Sequence, residues 1–331
     1  MTAPNIRVLW THNFAPQVAN AGNFMHTFAA GIAEFGVQVD LMYLGNLGRA
    51  PALWRAWRDV RVRSKTYDLV HAQFGSACAL ASSAAAVPSI LSLRGSDWHR
   101  YRGPDKAETR HGLLAHQFSR LSLRAYDQIV TMSERMSTEV RVRAPGLAVA
   151  TIADPIDTTL FRPHSRKTSR QALFNSNSEA PWILFTTLSA NNPIKRVELA
   201  REAVRLAAKR IPGLELKVAS GLDHRQMPMF IACCDVALCT STHEGWPNSI
   251  KEALACGLPF VSTDVSDLAT IAARHPGCRI SAADPQAIAD QLCAALAGPP
   301  GTHLRDEVMP MDVVPISLRL RDLYLSVLAR A

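Results

Sequence analysis

Apolar residues along this chain come in short runs of strand length, and between the runs they recur every third or fourth position. "IRVLWT" (6–11) is the first run. In the segment after it Phe24, Phe28, Ile32 and Phe35 keep helical spacing, and Gly36 supplies a stop. "VQVDLMYL" predicts the next strand, and an arginine- and tryptophan-rich stretch (49–65) leads to the strands "YDLVHAQF" and "PSILSLRG". A helix is expected over 110–126, then the strand "DQIVTMS" and the helix "ERMSTEVRVR". This β-α-β-α order predicts a parallel sheet covered by helices. From 157 to 181 the pattern lapses into a polar, proline-bracketed stretch, which reads as a connection between domains. Alternation restarts with "WILFTTLS", a helix over 195–210, "LELKVAS", a helix over 225–234, "DVALCTS", one more helix and "PFVSTD". A second α/β unit of similar size is therefore expected. Beyond a proline-rich break at 298–300, Leu318, Leu320, Leu323, Leu325 and Leu328 predict a terminal helix that packs on something.

Composition supports two cores. The chain has 331 residues, 48% of them hydrophobic, which suits about two domains and argues against global disorder. No apolar run approaches the ~20 residues that span a bilayer, and the N-terminus lacks the basic-then-apolar order of a secretory signal. Cys78, Cys233, Cys234, Cys239, Cys256, Cys278 and Cys293 are odd in number and set among apolar residues. They read as reduced core thiols of a cytosolic protein, and without a CxxC pair a zinc site is not expected. The formal net charge of +8 comes mainly from arginine. It suits phosphate-bearing ligands or an anionic membrane surface. Nucleic acid is not expected, since finger spacing, an aromatic RNA-binding strand and a lysine-rich tail are all missing.

The chemistry concentrates in residues 241–264, "STHEGWPNSIKEALACGLPFVSTD". A helix is expected from about Pro247 to Gly257, with Ile250, Ala253 and Leu254 facing the sheet. Glu244 then lies in a strand-to-helix loop at the carboxyl edge of the sheet, where open parallel sheets bind ligands, and Glu252 projects from the helix. An ionised carboxylate accepts two hydrogen bonds from a vicinal diol, so the two acids suit two diols of one sugar nucleotide. Taken alone, two glutamates at this spacing are as well explained by a loop acid and a solvated helix residue.

The intervening sequence resembles the signature of retaining group 1 glycosyltransferases (family 4) of the GT-B fold. The resemblance continues, in order, through "VLWTHNFAP", "YDLVHAQFG", "LSLRGSDW", "YDQIVTMSERM", "IADPIDTTLFRP" and "LSANNPIKRVELAREAV". It implies two Rossmann-like domains facing each other across a cleft: an N-terminal acceptor-side domain over 1–160, joined by a returning helix at 315–331, and a nucleotide-sugar domain over 161–314. It implies a hexosyltransferase-type enzyme moving a sugar from a nucleoside-diphosphate sugar to a glycan, lipid-linked or small-molecule acceptor. In that reading Glu244 contacts the donor sugar's hydroxyls and Glu252 the ribose diol. Gly22, Gly245, Trp246, Pro247 and Asn248 line the donor, Lys195 with Arg196 meets the leaving diphosphate, and Arg94 and Asp97 stand on the sugar and acceptor side. A cation aimed at the leaving group is physically reasonable in its own right, because bond cleavage develops negative charge there. Neither a metal nor another cofactor is expected, since Asp-x-Asp, GxGxxG and Walker patterns are all missing.

Three positions depart from the family's pattern. Its "HG" histidine is Arg94, the arginine usually found before the lysine is missing, and its double glycine is Ala21-Gly22. Arg94 is read equally as a donor contact or a structural arginine, Asp97 as a hydroxyl contact or a turn cap, and Arg196 as a substitute for the missing arginine. These departures keep open a transferase-like scaffold, and the same architecture also suits a sugar-nucleotide epimerase. The stretch 49–65 suits peripheral contact with the inner face of a membrane. The reading slightly preferred for it is a surface helix with Trp54 and Trp57 turned inward.

Overall fold

The computed structural model of the chain describes residues 5–14, 22–100, 106–188, 192–298 and 303–331. They form two compact units, one of Met1–Pro155 with Val313–Ala331, the other of Ile156–Asp312.

In the first unit β1 (Ile6–His12), α1 (Asn23–Ala33), β2 (Val37–Tyr43), α2 (Ala50–Arg63), β3 (Leu69–Ala72), α3 (Ser76–Ser82), β4 (Ser89–Leu93), α4 (Lys106–Ser122), β5 (Gln128–Thr131), α5 (Glu134–Arg143) and β6 (Val149–Thr151) alternate. The strands pair in parallel in the order β2-β1-β3-β4-β5-β6. Every residue of β3, β4 and β5 is buried, the pattern of a sheet covered on both faces. The connections carrying α2, α3 and α4 all step across the sheet in one direction, so right-handed crossovers put these helices on one face and α1 on the other. Gly22 caps α1 with φ +81°, a left-handed conformation in which a Cβ would sit 2.8 Å from Cε of Met25. Ala21, its expected partner in the loop, lies outside the described residues.

Two sequence expectations need correction here. Trp54 and Trp57 face outward. The buried stripe of α2 is Leu53, Ala56 and Val60, packed toward α3, and both tryptophans fall on its flank. The strand β6 was not expected, being only three residues long and half-buried.

The second unit contains α6 (Arg166–Phe174), β7 (Trp182–Thr186), α7 (Val197–Ala207), β8 (Glu215–Ala219), α8 (Met227–Ala232), β9 (Val236–Cys239), α9 (Asn248–Ala255), β10 (Phe260–Thr263), α10 (Leu268–Arg274), β11 (Arg279–Ser281) and α11 (Pro285–Ala297). Its parallel sheet runs β11-β10-β9-β7-β8, over a core that includes Ile183, Phe185, Val204, Leu238, Val261 and Leu292. The polar stretch 157–181 is no mere connection, because α6 belongs to this unit. Buried Arg170 donates from α6 to the carbonyls of Cys233 (2.8 Å), Ser178 (2.6 Å) and Ala180 (2.9 Å). It also pairs with Asp235 at 2.9 Å, which satisfies a burial that would otherwise be costly.

The terminal helix α12 (Val313–Leu328) belongs to the first unit and packs on α1. Gly31 of α1 makes room for it, since a methyl there would overlap Val313 and crowd Ser317. Its buried stripe is Ile316, Leu320, Tyr324 and Val327, so of the five leucines marked by the sequence only Leu320 is fully buried. The Tyr324 hydroxyl accepts from Trp10 Nε1 at 2.9 Å and bonds His71 Nδ1 at 2.7 Å, while His71 Nε2 meets Ser92 Oγ at 2.8 Å.

Candidate active site

In the second sheet the chain leaves β7 toward β8 on one side, and β9 then pairs with β7 on the other. The point between β7 and β9 is thus a topological switch, where the loops leaving two neighbouring strands diverge and open a crevice. Lys195 stands in the loop after β7, and Glu244 in the loop after β9.

These two loops are laced together. Thr242 donates its N–H to the Ile194 carbonyl at 2.9 Å, and Thr240 Oγ1 donates to the Lys195 carbonyl at 2.6 Å. Arg196, at φ +52°, donates from Nε to the Thr240 carbonyl at 2.5 Å and from Nη2 to the Ser241 carbonyl at 2.9 Å. The guanidinium is therefore engaged as a clamp between the loops, which differs from the leaving-group role expected for it. The left-handed backbone at Arg196 also starts α7 at Val197, two residues later than the periodicity suggested.

On this scaffold Lys195 Nζ donates to Glu244 Oε1 at 2.6 Å, and Ser241 Oγ donates to the same oxygen at 2.7 Å. Burial by itself would lower the lysine's pKa; the Glu244 carboxylate beside it more than reverses this, and the net effect is a rise. Lys195 is thus held as a cation. The end of β10 and the loop after it brace the arrangement: Thr263 Oγ1 donates to the Ser241 carbonyl at 2.6 Å and Ser266 Oγ to the Gly245 carbonyl at 2.7 Å.

Helix α9 begins at Asn248, one residue past the expected start, with Pro247 as its cap residue and no side chain capping it. The Pro247 carbonyl accepts from Ile250 (3.0 Å) and Lys251 (3.1 Å). Having no N–H, and with its carbonyl taken up by the helix, Pro247 itself has no backbone group to offer a ligand. Trp246 is buried, with the Lys251 ammonium 5.7 Å from its ring centroid. As expected, Ile250, Ala253 and Leu254 are the buried face. At the far end Arg305 donates to the Ala255 carbonyl at 2.7 Å, and to the carbonyls of Phe161 (2.6 Å) and Thr158 (2.5 Å). That fixes the helix from its C-terminus.

Glu252 lies on α9 and is mostly buried. Its Oε1 accepts from His224 Nε2 at 3.1 Å, and the imidazole packs edge-on against Phe161 with centroids 5.0 Å apart. The hydrogen bond to Glu252 lifts His224 above the ordinary imidazole pKa against the opposing effect of burial. Sequence reasoning missed His224. The available signal was positional: it follows β8, the other neighbour of β7, and so sits at the same carboxyl edge.

The remaining site residues belong to the first unit. Arg94 is held by partners within its own unit. It donates to the Gln73 carbonyl and to Gln73 Oε1, each at 2.6 Å, is ion-paired with Asp154, and lies 3.8 Å above the Phe24 ring centroid. Asp97 accepts backbone N–H groups from Arg94 (2.8 Å), Gly95 (2.9 Å) and Gly75 (2.7 Å). It is fully buried, and that burial pushes its pKa upward. It ties the β3 and β4 loops together and has no face left for a ligand hydroxyl. Among the described residues no group of three or more His, Cys, Asp or Glu converges as a metal-binding set. No helix among them is long and apolar enough to cross a membrane.

Residues 198–298, most of the second unit, match the model of the family described as glycosyl transferases group 1. The match includes Glu244 and Glu252 and begins just after Lys195 and Arg196. A Bacillus subtilis (strain 168) protein assigned as the teichuronic acid biosynthesis glycosyltransferase TuaC is 22% identical over 242 residues, 68% of this chain and 60% of TuaC. Among solved structures, the sucrose-phosphate synthase of Thermosynechococcus elongatus superposes with a TM-score of 0.80 at 14% identity, covering 98% of this chain and all of that one. HepE from Anabaena, solved with UDP and glucose, gives 0.68 at 15% identity over 97% of this chain and all of that one. The fold is thus the one expected, with two parallel-sheet units of the GT-B type.

Proposed function

We propose that this chain, which by sequence and fold belongs with the group 1 glycosyltransferases, transfers a sugar from a nucleoside-diphosphate donor to an acceptor hydroxyl with retention of anomeric configuration. The observation that carries the reading is the Lys195–Glu244 pair, held at 2.6 Å by two interlocked loops at the β7/β9 switch point. A half-buried ammonium kept charged by a carboxylate is suited to meet a departing diphosphate, and the carboxylate then turns to the sugar's hydroxyls. Backbone N–H groups of Gly245, Trp246 and Asn248, at the uncapped start of α9, suit the diphosphate and sugar oxygens. Glu252, now holding His224, takes the ribose diol.

In the proposed step the bond from the anomeric carbon to the phosphate oxygen breaks and a bond to the acceptor oxygen forms on the same face. The acceptor's proton passes to a diphosphate oxygen, and no side chain is assigned as base. Lys195 offsets the charge that develops on the leaving group, so transfer is expected to survive EDTA. The acceptor is a glycan, lipid-linked or small-molecule hydroxyl, and the reaction belongs to glycan or polysaccharide assembly on the cytoplasmic side.

The test is a calorimetric titration with UDP-, GDP-, ADP- and dTDP-sugars. HepE was solved with UDP-glucose, so UDP-glucose is the first donor to try. One nucleotide should bind selectively. Glu252→Ala should weaken it by roughly 10- to 100-fold, as loss of hydrogen bonds to a charged group implies. Lys195→Ala should retain much of the binding while slowing transfer by ~100-fold or more, the scale of a lost oxyanion donor. Binding of none of the four donors would overturn the reading.

A further inference from the structure

We propose that the first unit docks on an anionic phospholipid surface through the outward flanks of α2 and α4. The inference rests first on where the charge sits. Residues 49–65 carry Arg49, Arg55, Arg58, Arg61, Arg63 and Lys65 against one acid, Asp59; residues 106–125 carry Lys106, Arg110, Arg120 and Arg124 against Glu108. These two short segments hold the whole of the formal +8, and the rest of the chain is balanced. On α2 only Arg58 has an acidic partner among the described residues, its neighbour Asp59 at 3.1 Å.

The second observation is independent of charge. Trp54 is 60% and Trp57 42% exposed, on the flank of α2 that also carries Arg58 and Arg61. On α4 the outward stripe is Arg110, Leu114, Gln117 and Leu121, whose leucines are 52% and 73% exposed. Large apolar side chains set among bases that, Arg58 apart, have no acidic partner among the described residues are the composition of a surface that lies against lipid headgroups. Tryptophan in particular favours the headgroup level. The two helices are neighbours in space, because α3 packs against both of them on one face of the sheet. Their inward stripes are already used by the core, so the surface adsorbs without unfolding or inserting a helix. Nucleic acid shares the taste for bases, but Leu114 and Leu121 would have nothing to stack on there.

The experiment uses the whole chain and no sugar donor, so its failure and that of the transferase reading are distinguishable. Co-sedimentation is measured with vesicles of phosphatidylcholine alone and of equimolar phosphatidylcholine and phosphatidylglycerol, at low and high salt. The protein should partition onto the anionic vesicles only, with a blue-shifted tryptophan emission, and salt should release it. Arg55→Ser/Arg61→Ser should weaken partition about tenfold or more. Trp54→Ala/Trp57→Ala and Leu114→Ser/Leu121→Ser should each weaken it while leaving the far-ultraviolet circular dichroism unchanged, since all four side chains are exposed. No partition, equal partition onto neutral vesicles, or double variants that bind like the parent would each overturn the proposal. Tight binding of a single-stranded RNA that the leucine pair does not affect would also overturn it, assigning the face to nucleic acid.

Discussion

At the scale of single residues, the carboxylates proposed to take the donor are each held by a partner in the free protein: Glu244 by Lys195 and Ser241, Glu252 by His224. For Glu252 the partner is titratable, which gives a sign to the pH dependence. The hydrogen bond to Glu252 raises His224 above its usual pKa. Below that raised value the imidazolium grips the carboxylate, and above it the neutral ring lets go more easily. A diol competing for Glu252 should therefore bind more tightly as the pH rises through the raised His224 pKa. Isothermal titrations across the neutral range should show this slope in the parent protein and a flatter one in His224→Ala. An identical slope in the variant would mean that another group sets it. Arg94 and Asp97 teach the converse. The sequence left each open to a ligand contact or a structural part, and in the fold one is engaged by Gln73 and Asp154 and the other by three backbone N–H groups. A charged residue in a motif is free for a ligand only if the fold leaves its valences open.

At the scale of elements, α12 shows how one side chain fastens a helix to a distant strand. Tyr324 reaches the core of the first sheet and accepts from Trp10 while bonding His71. Burial keeps His71 neutral, its pKa depressed well below the usual range, with the nearby Arg94 charge acting in the same direction. Removing the hydroxyl leaves a buried indole N–H and an imidazole nitrogen unpaired, which costs ~1–3 kcal/mol for each such group at the upper end. Tyr324→Phe should therefore lower the urea midpoint without changing the slope of the transition; an unchanged midpoint would show that the network is dispensable. Elements were legible where an apolar period met a clear stop. Helix α9 is the best case, with Pro247 before it, Gly257 after it and Ile250, Ala253 and Leu254 inside. Helix α6 was not legible, because its buried side chains are Ser169 and Arg170, and the burial of Arg170 depends on Asp235 and the Cys233 carbonyl, both remote in sequence, with the Ser178 and Ala180 carbonyls nearer by. The facing of Trp54 and Trp57 was misread for a related reason. Helical period shows which residues share a stripe, but α3 decides which stripe is covered.

At the scale of the whole molecule, the thiols offer a way to watch one unit at a time. Cys78 is the one cysteine of the first unit, and the other six lie in the second. All seven are unpaired, and five are buried. Burial pushes Cys78 and Cys256 up to about 12 and Cys233 and Cys278 up to about 11. Near neutral pH these sulfurs carry almost no thiolate, and a thiol reagent reaches the buried ones, Cys78, Cys233, Cys234 and Cys278, only when the surrounding structure opens. If the donor binds among Lys195, Glu244 and Glu252, it stabilises the closed second unit by RT ln(1 + [L]/Kd), about 2.7 kcal/mol at a hundredfold excess over Kd. Opening-limited modification of Cys233, Cys234 and Cys278, followed by mass spectrometry, should then slow about a hundredfold under saturating donor. Cys78, in the other unit, should react at its ligand-free rate. A donor that slows Cys78 alone would move the binding site to the first unit. Equal slowing of all the buried thiols would mean that the two cores open together, so that binding energy gained at the β7/β9 edge is shared by the entire chain.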